Sequence, residues 1–296
     1  MCWGWPGAGW QAEIGDMTAV LRAANSRVFV LFLLPALVFV GVFFVYPVLK
    51  ILLISVSDPQ PGFGNYALLI ENPALRRVFL TTIRIAAITT LVSVAIGYLL
   101  AYRLHVAGPG ELKIILFCLM FPLWTSVLVR AFAWVALLQT NGIVNTALLG
   151  LGAIDRPLPM VRNELGVVIG MVHVMVPYAT LPIYSAMQAI DPRIMQAARS
   201  FGATPWPAFW RIFFPLTLPG VGAGTIMVFI TSIGFYITPI VLGGGKVVMV
   251  AEYISVQITE TLRWGLGSML AMVLLAVVLL FVFAFRRLTV LNQGTT

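Results

Sequence analysis

Charge is what this sequence has least of: 9% of its 296 residues are Asp, Glu, Lys or Arg, against 60% hydrophobic. Soluble domains carry about 25% charged residues and roughly half apolar ones, so a surplus of this size has too little polar surface to cover it in water. A soluble globular protein is excluded. Cysteine is nearly absent: Cys2 lies in the N-terminal segment and Cys118 in an apolar run, which offers neither a disulfide framework nor a thiolate metal site. The two histidines, His105 and His173, have no third ligand at metal spacing, so neither a metal nor another cofactor is expected. A phosphate-binding loop is lacking too. The only Gly-Lys pair, Gly245-Lys246, is followed by Val247 instead of Ser or Thr, and Ile240 stands where the first glycine belongs. The chain is therefore not expected to hydrolyse ATP, and no clustered His, Asp or Cys constellation suggests another enzyme. The net charge of +8 does not indicate nucleic acid, because the basic residues punctuate the gaps between apolar runs.

What is there is long apolar runs. A hydrocarbon layer about 30 Å thick needs roughly 20 apolar residues in a helix, and six stretches qualify: residues 28–49, 85–102, 114–138, 166–187, 217–242 and 266–285. Continuous runs argue against a barrel, whose lipid-facing strands alternate over about ten residues. An all-α integral membrane protein with six transmembrane helices is predicted. Pro35, Pro122, Pro177, Pro182 and Pro239 fall inside the runs and predict kinks. The domain plan is a tail at 1–27, a membrane domain at 28–287 and a second tail at 288–296. The first run exceeds the 7–15 apolar residues of a signal peptide, so it is expected to stay. Residues 1–16, with Trp3, Trp5 and Trp10 among Gly and Pro, resemble no targeting signal, and Met17 is a second candidate start.

Six spans place both termini on one side. The cation count does not say which: with the termini inside, nine Lys and Arg lie in inner segments and eight in outer ones.

Residues 188–213, between the fourth and fifth runs, exceed what adjacent helices need. Asp191-Pro192 can cap and start a helix. Ile194, Ala197, Ala198 and Phe201 follow at helical spacing, with Arg193, Gln196 and Arg199 on other faces, and Gly202 can close the helix left-handed. Two readings stand: a helix lying on lipid headgroups with Trp206 and Trp210 as anchors, or a docking element whose alanines permit close approach of another protein.

Gln196-Ala197-Ala198, three residues, Gly202, nine residues and Ile212-Phe213-Phe214-Pro215 resembles the EAA loop of ABC importer permeases, with Gln196 in place of Glu and Phe214 in place of Leu. The resemblance implies a type I ABC importer permease (MetI-like) bundle in the inner (plasma) membrane, with residues 188–213 and both termini cytoplasmic. It implies that Gln196, Ala197, Ala198, Arg199, Gly202, Ile212 and Pro215 form a coupling loop docked on an ATPase. The implied partners are a second homologous permease subunit, two cytoplasmic ATP-binding subunits, an external solute-binding protein and membrane lipid. Phe63-Gly64-Asn65-Tyr66, Pro122-Leu123-Trp124, Leu128-Val129-Arg130, Asn141-Gly142 with Asn145, and Leu242-Gly243-Gly244 are similar to the spermidine/putrescine-type permeases. That narrower likeness implies a heterodimer carrying a polyamine or related small polar solute.

Four residues are candidates for the pathway. His173, at bilayer depth, either lines it or bonds a neighbouring helix, and Arg130 either snorkels or packs near the outer face, or acts as a gate or pathway charge. Tyr236 and Glu252, with Tyr253 and Glu260, can attract an amine by ring face and charge, or can simply be solvated in a loop. A secondary transporter driven by an ion gradient is the alternative; it would need membrane-embedded acids, and the six runs contain none. The Gly220 to Gly224 spacing predicts close helix packing.

Overall fold

The computed structural model describes residues 32–293, with side chains to residue 287. The expected tail at 1–27, the second start at Met17, the first residues of the first span and residues 294–296 lie outside this range. Among the described residues the secondary structure is helical, with no strand. The chain divides into two units, Met1–Ile54 and Ser55–Thr296. The first holds most of α1 (Phe32–Ser57), apolar but for Lys50 and two serines near its end, with a π turn at Gly41–Val45.

The second unit begins with the last turn of α1 and the short α2 (Gly64–Glu71). Asn65 of α2 donates to the carbonyls of Ser55 and Asp58, while the Asp58 carboxylate accepts the Gly265 amide at 2.6 Å. This turn is thereby tied to the start of α12 (Trp264–Gln293).

Next comes α3 (Pro73–Val106), capped by the Asn72 side chain on Ala74 N–H with Pro73 at the first position. At 34 residues it is about 51 Å long, well beyond the expected 85–102. Arg84 and Arg103 sit nineteen residues, about 28 Å, apart on it. Both are paired: Arg84 with Glu164, and Arg103 with Glu111 at 2.6 Å. The interval matches the hydrocarbon thickness, so the two pairs mark the membrane boundaries and the turns before Arg84 project past one of them.

The expected third span, 114–138, is instead two helices, α4 (Pro109–Trp124) and α5 (Val127–Leu138), broken at Thr125-Ser126. Pro122 has no N–H, and the Thr125 amide and hydroxyl both turn back to the Pro122 carbonyl. After the turn at 139–142 comes α6 (Ile143–Gly150), so the apolar stretch runs on through Val127–Gly150. The wholly buried Asn145 holds the following loop by two bonds to the Leu158 backbone.

The centre of the bundle is α7 (Glu164–Gln188), packed between α3 and α9 (Pro205–Ile233). Small residues permit this: a Cβ on Gly97 of α3 would stand 2.8 Å from the Ala179 methyl, and one on Gly224 of α9 would stand 3.0 Å from the Ala179 carbonyl. Gly220 meets Ala186 and Pro182 in the same way, as its spacing predicted. The expected fifth span, 217–242, also breaks. α9 ends at Ile233, and Gly234–Tyr236 leads to α10 (Ile237–Gly243). Pro239, expected to kink a span, lies in the first turn of α10, where its missing donor has no partner to lose. α11 (Val250–Thr259) follows, its Val250 amide donating to Thr82 of α3 at 2.8 Å. α12 runs through Arg286 and Arg287 to Gln293, so most of the expected C-terminal tail is helix.

Candidate functional site

Residues 188–213 build a short helix seated on the end of the bundle. In α8 (Pro192–Ser200), Asp191 caps the start by accepting from Arg193 N–H at 2.8 Å. The C-terminus closes with Gly202 at φ +82°, the Gly202 amide bonding to the Arg199 carbonyl and the Ala203 amide to the Ala198 carbonyl. These two bonds make a Schellman closure, which needs a left-handed residue at that position.

The expected apolar face divides in two. Ala198 is 8% exposed and turned toward the bundle, and Met195 packs with Ile190 and Phe209 on Ala101, Ile183, Met187 and Phe213. Ile194 is 40% exposed, Ala197 is exposed, and Phe201 is 92% exposed. Helical spacing alone could not separate them, because α8 lies flat on the bundle and buries only the side that meets it. The expectation that both alanines present a docking surface is thus corrected for Ala198, which seats the helix. Gln196 and Arg199 line a cleft of about 350 Å³ against His105 at the end of α3.

The link to the membrane is continuous. α9 begins with Pro205–Ala208, loosens into a π turn at Phe209–Phe213, and continues without a break to Ile233. Ile212, half-buried, lies in the π turn and the exposed Pro215 opens the turn after it. Tyr102, Phe209 and Phe213 pack edge to face with centroids 5.5 to 5.9 Å apart, fixing the π turn to α3.

A second group lies within the bundle. The Trp134 indole of α5 donates to His173 Nδ1 of α7 at 3.1 Å, so the interhelical reading of His173 holds. His173 also borders two apolar cavities of about 410 and 380 Å³, which share it and Val176 as lining. Arg130 lies in the first turn of α5, beside the helix break. Its Nε and Nη1 are enclosed without a hydrogen-bond partner among the described residues, while the residue as a whole is half-buried.

The last two candidates lie elsewhere. Tyr236 is exposed at the bend before α10. Glu252, expected in a solvated loop, sits in the first turn of α11 and is 8% exposed. Burial pushes its carboxyl above the usual range, while the Met249 backbone amide pulls it down. Its Oε2 has no partner among the described residues. Among the described residues, Tyr236, Tyr253 and Glu260 make no hydrogen bond with Glu252.

Comparison with known proteins now decides the family. The profile of the family described as "Binding-protein-dependent transport system inner membrane component" matches residues 112–293. The spermidine/putrescine transport system permease protein PotB of Haemophilus influenzae is 31% identical over 254 residues, covering 83% of this chain and 89% of its own. This chain belongs to that transport family. The Escherichia coli protein of the same name is 32% identical over 223 residues, covering 75% and 81%. In fold, the chain resembles a bacterial alginate ABC transporter crystallised with an alginate pentasaccharide-bound periplasmic protein, with a TM-score of 0.74, 18% identity, and 90% and 95% of the two chains covered.

As a member of the binding-protein-dependent permeases, the protein is a multi-pass inner-membrane transport subunit of an ABC importer and not an enzyme. Sequence reasoning missed the burial of Glu252 and the role of Trp134. Glu252 stands at the third position of α11, where its carboxylate can accept from the Met249 backbone N–H; Met249 has no side-chain acceptor to return the bond. Nothing in the sequence paired Trp134 with His173, 39 residues away.

Proposed function

We propose that this chain is one of two different permease halves of an ATP-driven importer of polyamines such as spermidine and putrescine. The observation that carries the reading is identity of 31 to 32% with permeases of that name over three-quarters or more of both chains. An external solute-binding protein delivers the solute to the outer face. Two cytoplasmic ATP-binding subunits drive the cycle, one docked on residues 188–213 of each half, and both termini of this chain are cytoplasmic.

The exposed Ile194, Ala197 and Phe201 stripe of α8 is the surface that enters the ATPase cleft, flanked by Gln196 and Arg199. The neutral Gln196 offers a hydrogen bond there and no salt bridge. The Gly202 closure sets the angle of the helix. Closing the ATPase pair moves α8, and α9 carries the displacement as a continuous helix from Pro205 to the bend at Gly234. Arg130 and His173 lie at the depth of the pathway, Tyr236 flanks its bend, and Glu252 stands beside the outer approach.

The test is reconstitution in proteoliposomes with the second permease, the ATPase and the binding protein, measuring labelled spermidine and putrescine. Uptake that needs ATP and the binding protein is the expected result. Uptake by this chain alone under an ion gradient would establish the secondary-transporter alternative, and uptake of an anion by the full complex would overturn the solute assignment.

A further inference from the structure

α5 carries a guanidinium with no counter-charge among the described residues. Arg130 Nε and Nη1 are enclosed and lack any hydrogen-bond partner among the described residues. The residue as a whole is only half-buried, so the side chain passes through the packed wall and reaches the surface of the bundle. Its depth follows from α7. Trp134, one turn along α5 from Arg130, bonds His173, which lies nine residues beyond Glu164. That separation is about 14 Å along the axis, near the middle of a layer about 30 Å thick.

The groups around it offer no anion. Trp134 donates to His173 Nδ1, so the imidazole holds its own proton on Nε2 and is a donor there. The six apolar spans contain a single acid, Glu164, at the end of α7 and already paired with Arg84. An uncompensated cation at bilayer depth is costly, and such residues pair with a partner or face a water-filled cavity. A lipid phosphate lies at the headgroups, too far from this depth, and a transported solute is present only in passing.

We propose that the resident counter-ion is a carboxylate from a membrane span of the second permease half, paired with Arg130 across the shared pathway when the pathway is closed. Opening separates the pair, and the freed carboxylate is then an acceptor for the ammonium groups of a passing cation. The inference rests on the two-permease reading above.

The first check is the sequence of the second permease: its spans must contain an Asp or Glu near mid-membrane, and spans without one overturn the proposal. The second uses the complete complex in proteoliposomes, with ATP hydrolysis measured without binding protein or solute. Breaking a buried charge pair shifts its equilibrium about thirtyfold or more, so Arg130→Gln should raise this unstimulated rate strongly while Arg130→Lys stays near wild type. Arg130→Glu should be restored by Asp→Arg or Glu→Arg at one position of the second permease. If no such exchange restores it, or if wild type but not Arg130→Gln depends on anionic lipid, the counter-ion is something else and the proposal fails. Labelled spermidine uptake by wild type in the same vesicles tests the solute separately, since the hydrolysis readout needs none.

Discussion

Replacing Gly202 isolates backbone conformation from packing. The residue holds φ +82°, and a Cβ built there meets nothing within 4 Å. Side-chain size therefore has no neighbour to act on, and the cost is the left-handed conformation alone. That cost is about 1 kcal/mol for Ala and about 2 kcal/mol for a β-branched Val, and smaller for Asn, whose side chain tolerates the region. Those energies act on two bonds, Gly202 N–H to the Arg199 carbonyl and Ala203 N–H to the Ala198 carbonyl. The closed form of the α8 terminus is then depleted about fivefold in Gly202→Ala and about thirtyfold in Gly202→Val. The readout is solute transported per ATP hydrolysed in proteoliposomes of the complete complex, with membrane insertion checked by fractionation. The expected order is Gly, Asn, Ala, Val, with insertion unchanged. Full coupling in Gly202→Val, or an order that follows side-chain volume and places Asn below Ala, refutes the reasoning.

The two faces of α8 predict different failures. Phe201→Asp should release the ATPase on purification while leaving the permease's thermal stability unchanged. Ala198→Arg, which overfills the seat, should cost about 1–3 kcal/mol of permease stability itself, and loss of the ATPase without that cost would mean Ala198 docks directly. Gly220→Leu should lower the melting temperature well beyond Gly220→Ala, because a Cβ already falls on Ala186 and within 2.9 Å of the Pro182 carbonyl; equal melting for wild type and Leu would show that α7 and α9 do not meet there. Glu252 predicts a pH dependence. Burial raises its folded-state pKa, so its contribution to stability is full below the ordinary carboxylate range and is lost as pH rises through the raised value. Glu252→Gln should flatten the fall of melting temperature with rising pH, and parallel profiles for the two proteins would exclude a buried carboxyl.

Much of this architecture was legible because lipid leaves few choices: an apolar run of about 20 residues must satisfy its own backbone, and a helix does so. The fourth and sixth spans lie where their runs predicted, as do the Asp191 cap and the left-handed Gly202, while the first helix continues past its expected end to Ser57. Pro122 and Pro239 signalled irregularity in the third and fifth runs, but that it would be a full break at Thr125-Ser126 and at Gly234–Tyr236 was not legible, because a proline in a membrane helix can be accommodated as a kink. Glu252 read as a loop acid for the same reason: its burial is conferred by the turns of α11 and the helices packed around it.

Composition and spacing determined that the chain lives in a bilayer, crosses it as helices and carries a capped, glycine-closed helix between its fourth and fifth spans. These are local consequences of hydrophobicity and backbone freedom. Tertiary structure decided that Ala198 faces in while Phe201 faces out, that Trp134 orients His173, and that Arg130 meets no anion among the described residues. Each of those depends on which residues distant in sequence arrive alongside, and a one-dimensional pattern carries no record of that.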